Sequence, residues 1–239
     1  MIPRVNYLIA AAAHRVKYPY GKDILRLHLE ELGKTNTEDL SQVTVLRTLP
    51  LERDQRYSAE TKHYWDIDAS IKNIKCPVVT LDVTDMYFSY SSWVQACQHY
   101  LEDFDYYVLI EDDYYPSKED FVKILIDLHK KKLPNGGYLN SFTAYGHAAV
   151  SNGLVDSKTF CEGIRKYTIE EVLSQGAQMY FGKFFDNKLA DYVDQYRTLF
   201  SSSQTNETHD PSLDLKIDIF RPIEYLIFGE KVTHTNIEK

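Results

Sequence analysis

The spacing of apolar and polar residues changes period along the chain, and the changes mark out the elements. Val5 to Ala12 is an apolar run, as expected of a strand covered on both faces. A loop rich in Arg, Lys, Tyr and Pro follows. Leu25, Leu29 and Leu32 then recur at helical spacing within Ile24 to Leu32, and Gly33 supplies a stop. Val43 to Leu46 predicts a second strand, residues 50–70 are polar and irregular, and Val78 to Val83 predicts a third strand. Trp93, Ala96, Cys97, Tyr100 and Phe104 return to helical spacing.

The run Tyr106-Tyr107-Val108-Leu109-Ile110 stops abruptly at Glu111-Asp112-Asp113. Ser117 with Asp120 three residues on resembles a capping box, so a helix is expected from Ser117, with Phe121, Ile124, Leu125 and Leu128 as its apolar stripe. Lys130-Lys131-Lys132 closes that helix, where cations complement the dipole, and Pro134-Asn135-Gly136-Gly137 ends it. Tyr138 to Thr143 reads as another strand. Strands alternating with helices imply βαβ units and a mostly parallel sheet. The second half is less regular. Thr168 with Glu171 predicts a short helix, and Leu189, Tyr192, Val193, Tyr196 and Leu199 a longer one. Leu213, Leu215, Ile217 and Ile219 alternate with charged residues as in a half-buried strand, with Ile223 to Phe228 as its expected partner. No repeat or low-complexity linker interrupts residues 1–239, which read as one domain with halves 1–145 and 146–239.

Charge and composition narrow the classes. A net charge of −8 without a basic stripe argues against a nucleic-acid partner. The apolar stretch Tyr7 to Ala13 is too short for a signal peptide, and no segment approaches the ~20 apolar residues of a membrane span. The expectation is a cytoplasmic protein, or a soluble module of a larger one. Cys76, Cys97 and Cys161 have no metal spacing and read as small buried residues. The nineteen Tyr offer flat faces suited to sugar or base contacts, although packing explains most such residues.

Three consecutive carboxylates after a buried strand repel one another and raise one another's pKa unless something compensates them. Ligand sites in α/β sheets lie at the carboxyl ends of strands. Hard oxygen ligands there suit Mg²⁺ or Mn²⁺ with substrate phosphates completing the shell. The bland alternative is a solvated strand-to-helix turn.

The stretch YYVLIEDDYYPSKEDF resembles the acidic-motif strand of GT-A-fold glycosyltransferases, in which a DxD or EDD tripeptide ends a central strand. The likeness extends loosely to the order of elements from Val5 to Val155. It implies a GT-A-like (Rossmann-like) α/β fold with a mostly parallel central sheet flanked by helices. Residues 1–145 would bind the nucleotide sugar and 146–239 would form the acceptor side. The implied activity is Mn²⁺- or Mg²⁺-dependent transfer of a sugar, of hexosyltransferase type, from a nucleoside diphosphate donor to a hydroxyl acceptor. UDP is favoured on superfamily grounds and GDP stays open. Asp113 would be the main metal ligand, and Glu111 and Asp112 would contact ribose, metal-bound water or the sugar.

The resemblance also places the end of the first strand under the nucleotide. Here it reads Ala11-Ala12-Ala13-His14-Arg15, with small residues that admit a ligand to the backbone and Arg15 placed to meet a phosphate. Asp82 is a candidate for base or ribose contact, or else a strand-end turn. An inverting enzyme needs a base for the acceptor hydroxyl. Asp186, in Phe184-Phe185-Asp186, is the best match; Asp at that point is also an ordinary N-cap, a role compatible with that of the base. The familiar family pattern is absent at that point, so a retaining reaction stays open, with His209 or His234 as late metal ligands. The stretch His147 to Phe160, with Ser151-Asn152-Gly153 and nearby Asp156 and Glu162, falls where the superfamily makes sugar and acceptor contacts.

Rival readings fit less well. A receiver domain would open with its acidic pair, and a sugar-nucleotide pyrophosphorylase would carry a Gly-rich loop after the first strand. A haloacid-dehalogenase-like phosphatase wants D-x-D, and a dinucleotide-binding dehydrogenase wants G-x-G-x-x-G. The remaining alternative is a non-catalytic GT-A-like carbohydrate-binding or scaffolding module.

Overall fold

The first apolar run becomes the strand that every other part of the sheet is built on. In the computed structural model, which describes residues 2–12, 21–49, 61–84, 88–140, 152–159 and 219–228, β1 spans Val5–Ala11 and is buried along its whole length. On one side it pairs in parallel with β2 (Gln42–Leu49), which pairs in parallel with β3 (Val78–Thr84). On the other side it pairs in parallel with β4 (Tyr106–Glu111). Next come β7 (Gly153–Asp156), antiparallel to β4, and β6 (Tyr138–Asn140), antiparallel to β7. The sheet order is therefore β3-β2-β1-β4-β7-β6. A second sheet pairs β5 (Tyr114–Pro116) with β8 (Phe220–Pro222).

Alternation along the strands sends side chains to two faces, and both are covered. Val5, Tyr7, Ile9 and Ala11 of β1, Val43 and Val45 of β2, and Val108 and Ile110 of β4 pack in one core. Leu25, Leu29 and Leu32 of α1 (Ile24–Leu32) and Phe121, Val122 and Leu125 of α4 (Phe121–Lys132) join them there. The short α2 (Thr61–Tyr64) packs beside α1. The other face lies under α3 (Phe88–His99), which spans β1, β2 and β3 and buries Trp93 and Ala96. The architecture is the expected α/β one, a mostly parallel sheet flanked by helices.

Three local readings are corrected. Ser117 does not start a helix: Tyr114–Pro116 forms β5, the Ser117 amide donates to the Ile219 carbonyl at 2.8 Å, and the helix begins at Phe121 after Asp120. Pairing with β8, about a hundred residues later in sequence, overrides the local capping signal. Ile223 to Phe228 is not the partner strand, because Glu224–Phe228 is a one-turn helix (α5) and β8 takes β5 instead. The helical stripe through Tyr100 and Phe104 also runs past the end of α3 at His99. There Tyr100 and Phe104 stack edge-to-face at 5.7 Å, and Phe104 and Tyr107 at 6.0 Å.

The elements expected around Thr168, Leu189 to Leu199 and Leu213 to Ile217 lie outside the described residues. Cys76 is half-buried against the main core, where burial pushes its thiol up to about 11. Among the described residues, no helix is long and apolar enough to cross a membrane.

Candidate functional site

The chain lays β1, β2 and β3 outward in one direction and then returns to place β4 on the other side of β1. The β1–β4 pair is thus where strand order reverses, and open α/β sheets bind ligands outside the carboxyl ends of strands at such a switch point. Register puts Ala10 opposite Glu111 across that pair. The small residues at the end of β1 and the acidic triplet at the end of β4 therefore meet at the switch point.

The three acids have different surroundings. Asp112 continues the row of Val108 and Ile110 on the face of α1 and α2, and it is fully buried. Its amide donates to the Ala10 carbonyl at 3.2 Å. Its Oδ2 accepts the Ala12 amide at 2.9 Å and the hydroxyl of Tyr64, itself fully buried. Its carbonyl lies 3.3 Å from His28 Nδ1. Glu111 and Asp113 are half-buried. The Glu111 amide donates to Asn152 Oδ1 at 2.9 Å, so a buried Asn side chain extends the β4–β7 ladder beyond Gly153. The Asp113 carbonyl accepts the Ile223 amide at 2.7 Å, tying the turn to the C-terminal segment.

His28 and Tyr7 complete the support beneath the turn. Tyr7 Oη lies 3.0 Å from His28 Nε2, and both residues are fully buried. Burial lowers the His28 pKa to about 3, with the contact to the Asp112 carbonyl opposing it, and burial raises that of Tyr7. A neutral imidazole carries one N–H. Only a donor can face a carbonyl, so Nδ1 holds the proton and the Tyr7 hydroxyl donates to Nε2.

Further along the same edge, Arg47 stands in register with Ala11 on one side and Asp82 on the other. Arg47 Nε and a terminal guanidinium nitrogen reach the two Asp82 oxygens at 2.6 and 2.8 Å, a bidentate fork. The guanidinium holds the Asp82 carboxyl below its ordinary range. Both side chains are partly exposed.

Of the residues singled out in sequence, Ala11, Glu111, Asp112 and Asp113 come together, and Asp82 joins the same edge through Arg47. His14, Arg15, Asp186, Glu162, His209 and His234 lie outside the described residues. Asp156 instead organises the end of α4 and β6: it accepts the Gly137 amide at 2.6 Å and the Thr159 amide and hydroxyl at 2.8 and 2.7 Å. The supporting residues Tyr64, His28 and Arg47 were not singled out, and Asn152 carried no assigned role. The only sequence signals were the abundance of Tyr and a His on the apolar stripe of α1.

No family model matches the chain, and no curated protein matches it. Solved structures do. A cytidylyltransferase from Leptospira borgpetersenii serovar Hardjo-bovis is 14% identical, with a TM-score of 0.47 over 72% of this chain and 68% of that one. A 4-diphosphocytidyl-2C-methyl-D-erythritol synthase from Anaerococcus prevotii is 13% identical, with a TM-score of 0.44 over 78% and 85%. The glycosyltransferase GlyE of Streptococcus pneumoniae TIGR4 is 13% identical, with a TM-score of 0.43 over 92% of this chain and 55% of that one. Nucleotidyltransferases and a glycosyltransferase are thus both among the similar structures.

Proposed function

We propose that the chain binds a nucleoside diphosphate sugar at the β1–β4 junction and transfers the sugar to a hydroxyl acceptor with the help of Mn²⁺ or Mg²⁺. The observation that carries this reading is the convergence of Ala10–Ala12 and Glu111–Asp113 on the switch point of the sheet.

The donor set suits such an ion. Among the described residues no three His, Cys, Asp or Glu enclose a cation. Mg²⁺ and Mn²⁺ need no such cage, because they take one or two carboxylates and complete their shell with substrate phosphates. Asp113 would be the principal ligand, with Glu111 beside it and toward the ribose. When bound, the ion would neutralise the diphosphate leaving group. The backbone at Ala11 and Ala12, without bulky side chains, admits the nucleotide closely. Asp82, oriented by Arg47, would accept hydrogen bonds from base or ribose. Asp186 remains the candidate base for an inverting reaction.

Thermal stability against UDP-, GDP- and dTDP-sugars, with and without Mn²⁺, tests the reading, since a ligand of the native state raises Tm by mass action. The expected result is a shift that needs both metal and one donor, lost in Asp113→Ala at unchanged basal Tm. Shifts with CTP or UTP but with no nucleotide sugar would reassign the site to nucleotidyl transfer. No shift with any pair would favour a non-catalytic carbohydrate-binding module.

A further inference from the structure

Asp112 shares its chemistry with its neighbours but not its surroundings. Its amide, carbonyl and carboxylate are all turned inward, toward β1, α1 and α2 respectively. We propose that Asp112 is the positioning residue of the acidic turn and that Tyr64 holds it there, so that Glu111 and Asp113 face the ligand from a fixed backbone. This rests on the reading of Glu111 and Asp113 given above.

The geometry supports a positioning role over ligation. Asp112 Oδ2 already receives two donors, the Ala12 amide and the Tyr64 hydroxyl. A cation at that oxygen would have to displace one of them, leaving a buried donor unsatisfied, and Oδ1, the other carboxylate oxygen, is itself shielded from solvent. The same carboxylate ties the end of β4 to the first residue beyond β1, a hundred positions earlier in sequence. It thereby joins the two strands whose ends form the site. His28 adds a third tie through the Asp112 carbonyl. With Asp112 fixed at its centre, the turn has little freedom to reorient the residues on either side. Tyr64 acts from 48 residues upstream, in a helix of four residues, and its hydroxyl is its link to the turn.

The test uses the full chain as wild type, Tyr64→Phe and Asp112→Asn. Binding of Mn²⁺ in the presence of UDP is followed by the electron paramagnetic resonance of free Mn²⁺, and amide hydrogen exchange is recorded on the same proteins without metal. Loss of a residue supporting a metal ligand characteristically weakens metal binding 10–100-fold. Tyr64→Phe is therefore expected to weaken Mn²⁺ binding by about 10-fold. It should also speed exchange at Ala12 and at Asp112 to Tyr114, with the β1–β2 amides unchanged. A merely structural Tyr64 would speed exchange throughout and leave the affinity of the folded protein unaltered, which overturns the proposal. Abolition of Mn²⁺ binding by Asp112→Asn, with Tyr64→Phe indistinguishable from wild type, also overturns it by making Asp112 a ligand. If the wild type binds no Mn²⁺, the donor-site reading fails and exchange alone decides. Faster exchange confined to the turn in Tyr64→Phe then upholds the anchor, and unchanged exchange removes it.

Discussion

His28 Nδ1 lies 3.3 Å from the carbonyl oxygen of Asp112, joining the middle of α1 to the turn that ends β4. On its other side the ring meets the Tyr7 hydroxyl on β1. A His on the apolar stripe of a helix is ordinarily a packing residue. Here it is also the donor that satisfies a buried carbonyl at the centre of the candidate site.

That arrangement sets a pH dependence. The folded pKa of His28 is about 3, below the ~6.5 of an unfolded chain. Between those values the unfolded state binds the extra proton, so stability rises with pH through that window and is fully present above about pH 6.5. At most the slope is about 1.4 kcal/mol per pH unit. His28→Asn keeps an amide donor near Nδ1 but leaves the Tyr7 hydroxyl without its acceptor. It should cost about 2 kcal/mol at pH 8, and that deficit should shrink toward pH 4.5. Urea midpoints across this range check it. A deficit independent of pH would mean that His28 titrates alike in the folded and the unfolded protein.

The Arg47–Asp82 fork predicts a separation of stability from binding. The pair is partly exposed, where such bridges contribute at most about 1 kcal/mol. Asp82→Asn should therefore move Tm by no more than a few degrees. If Asp82 meets the base or ribose, the same variant weakens UDP binding by about 10-fold, the effect of one lost hydrogen bond. Mn²⁺ binding should stay as in wild type. Calorimetric titration with UDP decides, and equal affinities would confine Asp82 to a strand-edge ion pair.

The difference between what was legible in the sequence and what was not follows the range of the interactions. The run Val5 to Ala12 announced a central strand because both faces of β1 are covered, leaving no polar alternation to blur it. The triplet Glu111-Asp112-Asp113 stood out because charge replaces apolar residues at a single position. Tyr114–Pro116 was hidden because three residues paired with Phe220–Pro222 leave no local period, while Ser117 and Asp120 imitate a cap. The inward role of Asp112 was hidden for the same reason. Ala12, His28 and Tyr64 lie 100, 84 and 48 positions away, and nothing in the triplet itself distinguishes its central acid.

Asp156 anchors the turn that follows α4. Burial opposes its charge, but hydrogen bonds from His129, the Gly137 amide and Thr159 outweigh burial and bring its pKa to about 2. With the folded value below the ~3.9 of an unfolded Asp, this contribution is present above about pH 4 and is lost as pH falls through about 2. Asp156→Ala should cost about 2 kcal/mol at neutral pH. Gly136→Ala should cost a similar ~1–3 kcal/mol. Its φ is +90°, and an added Cβ would lie 2.8 Å from the Thr159 hydroxyl and 2.9 Å from Asp156 Oδ2. Because both changes disrupt one turn, the double variant should be less destabilised than the sum of the two. Chemical denaturation of the three proteins measures this, and strict additivity would mean that the two residues act independently.

The acidic turn also depends on the far end of the chain. Ile223 is fully buried against Ile24 and Tyr115, and its amide holds the Asp113 carbonyl at 2.7 Å. Among the described residues, the six-stranded sheet does not include this segment, and β8 joins only β5. The small sheet is therefore expected to open at lower free energy than the large one, as short peripheral units do. Amides of Ser117 and Ile223 should exchange well before those of Leu8 and Ile9. Ile223→Ala, a deletion of buried methyl groups, should cost about 2–5 kcal/mol locally. It should accelerate exchange at Ser117 without exposing β1. Asp113 would lose its backbone tether in the opened fraction, so metal-dependent donor binding should weaken in proportion to the population that opens. If exchange at Ser117 quickens in Ile223→Ala while Mn²⁺–UDP affinity holds, the orientation of Asp113 is set by β4 alone, and the C-terminal segment serves only to cover the small apolar cluster behind it.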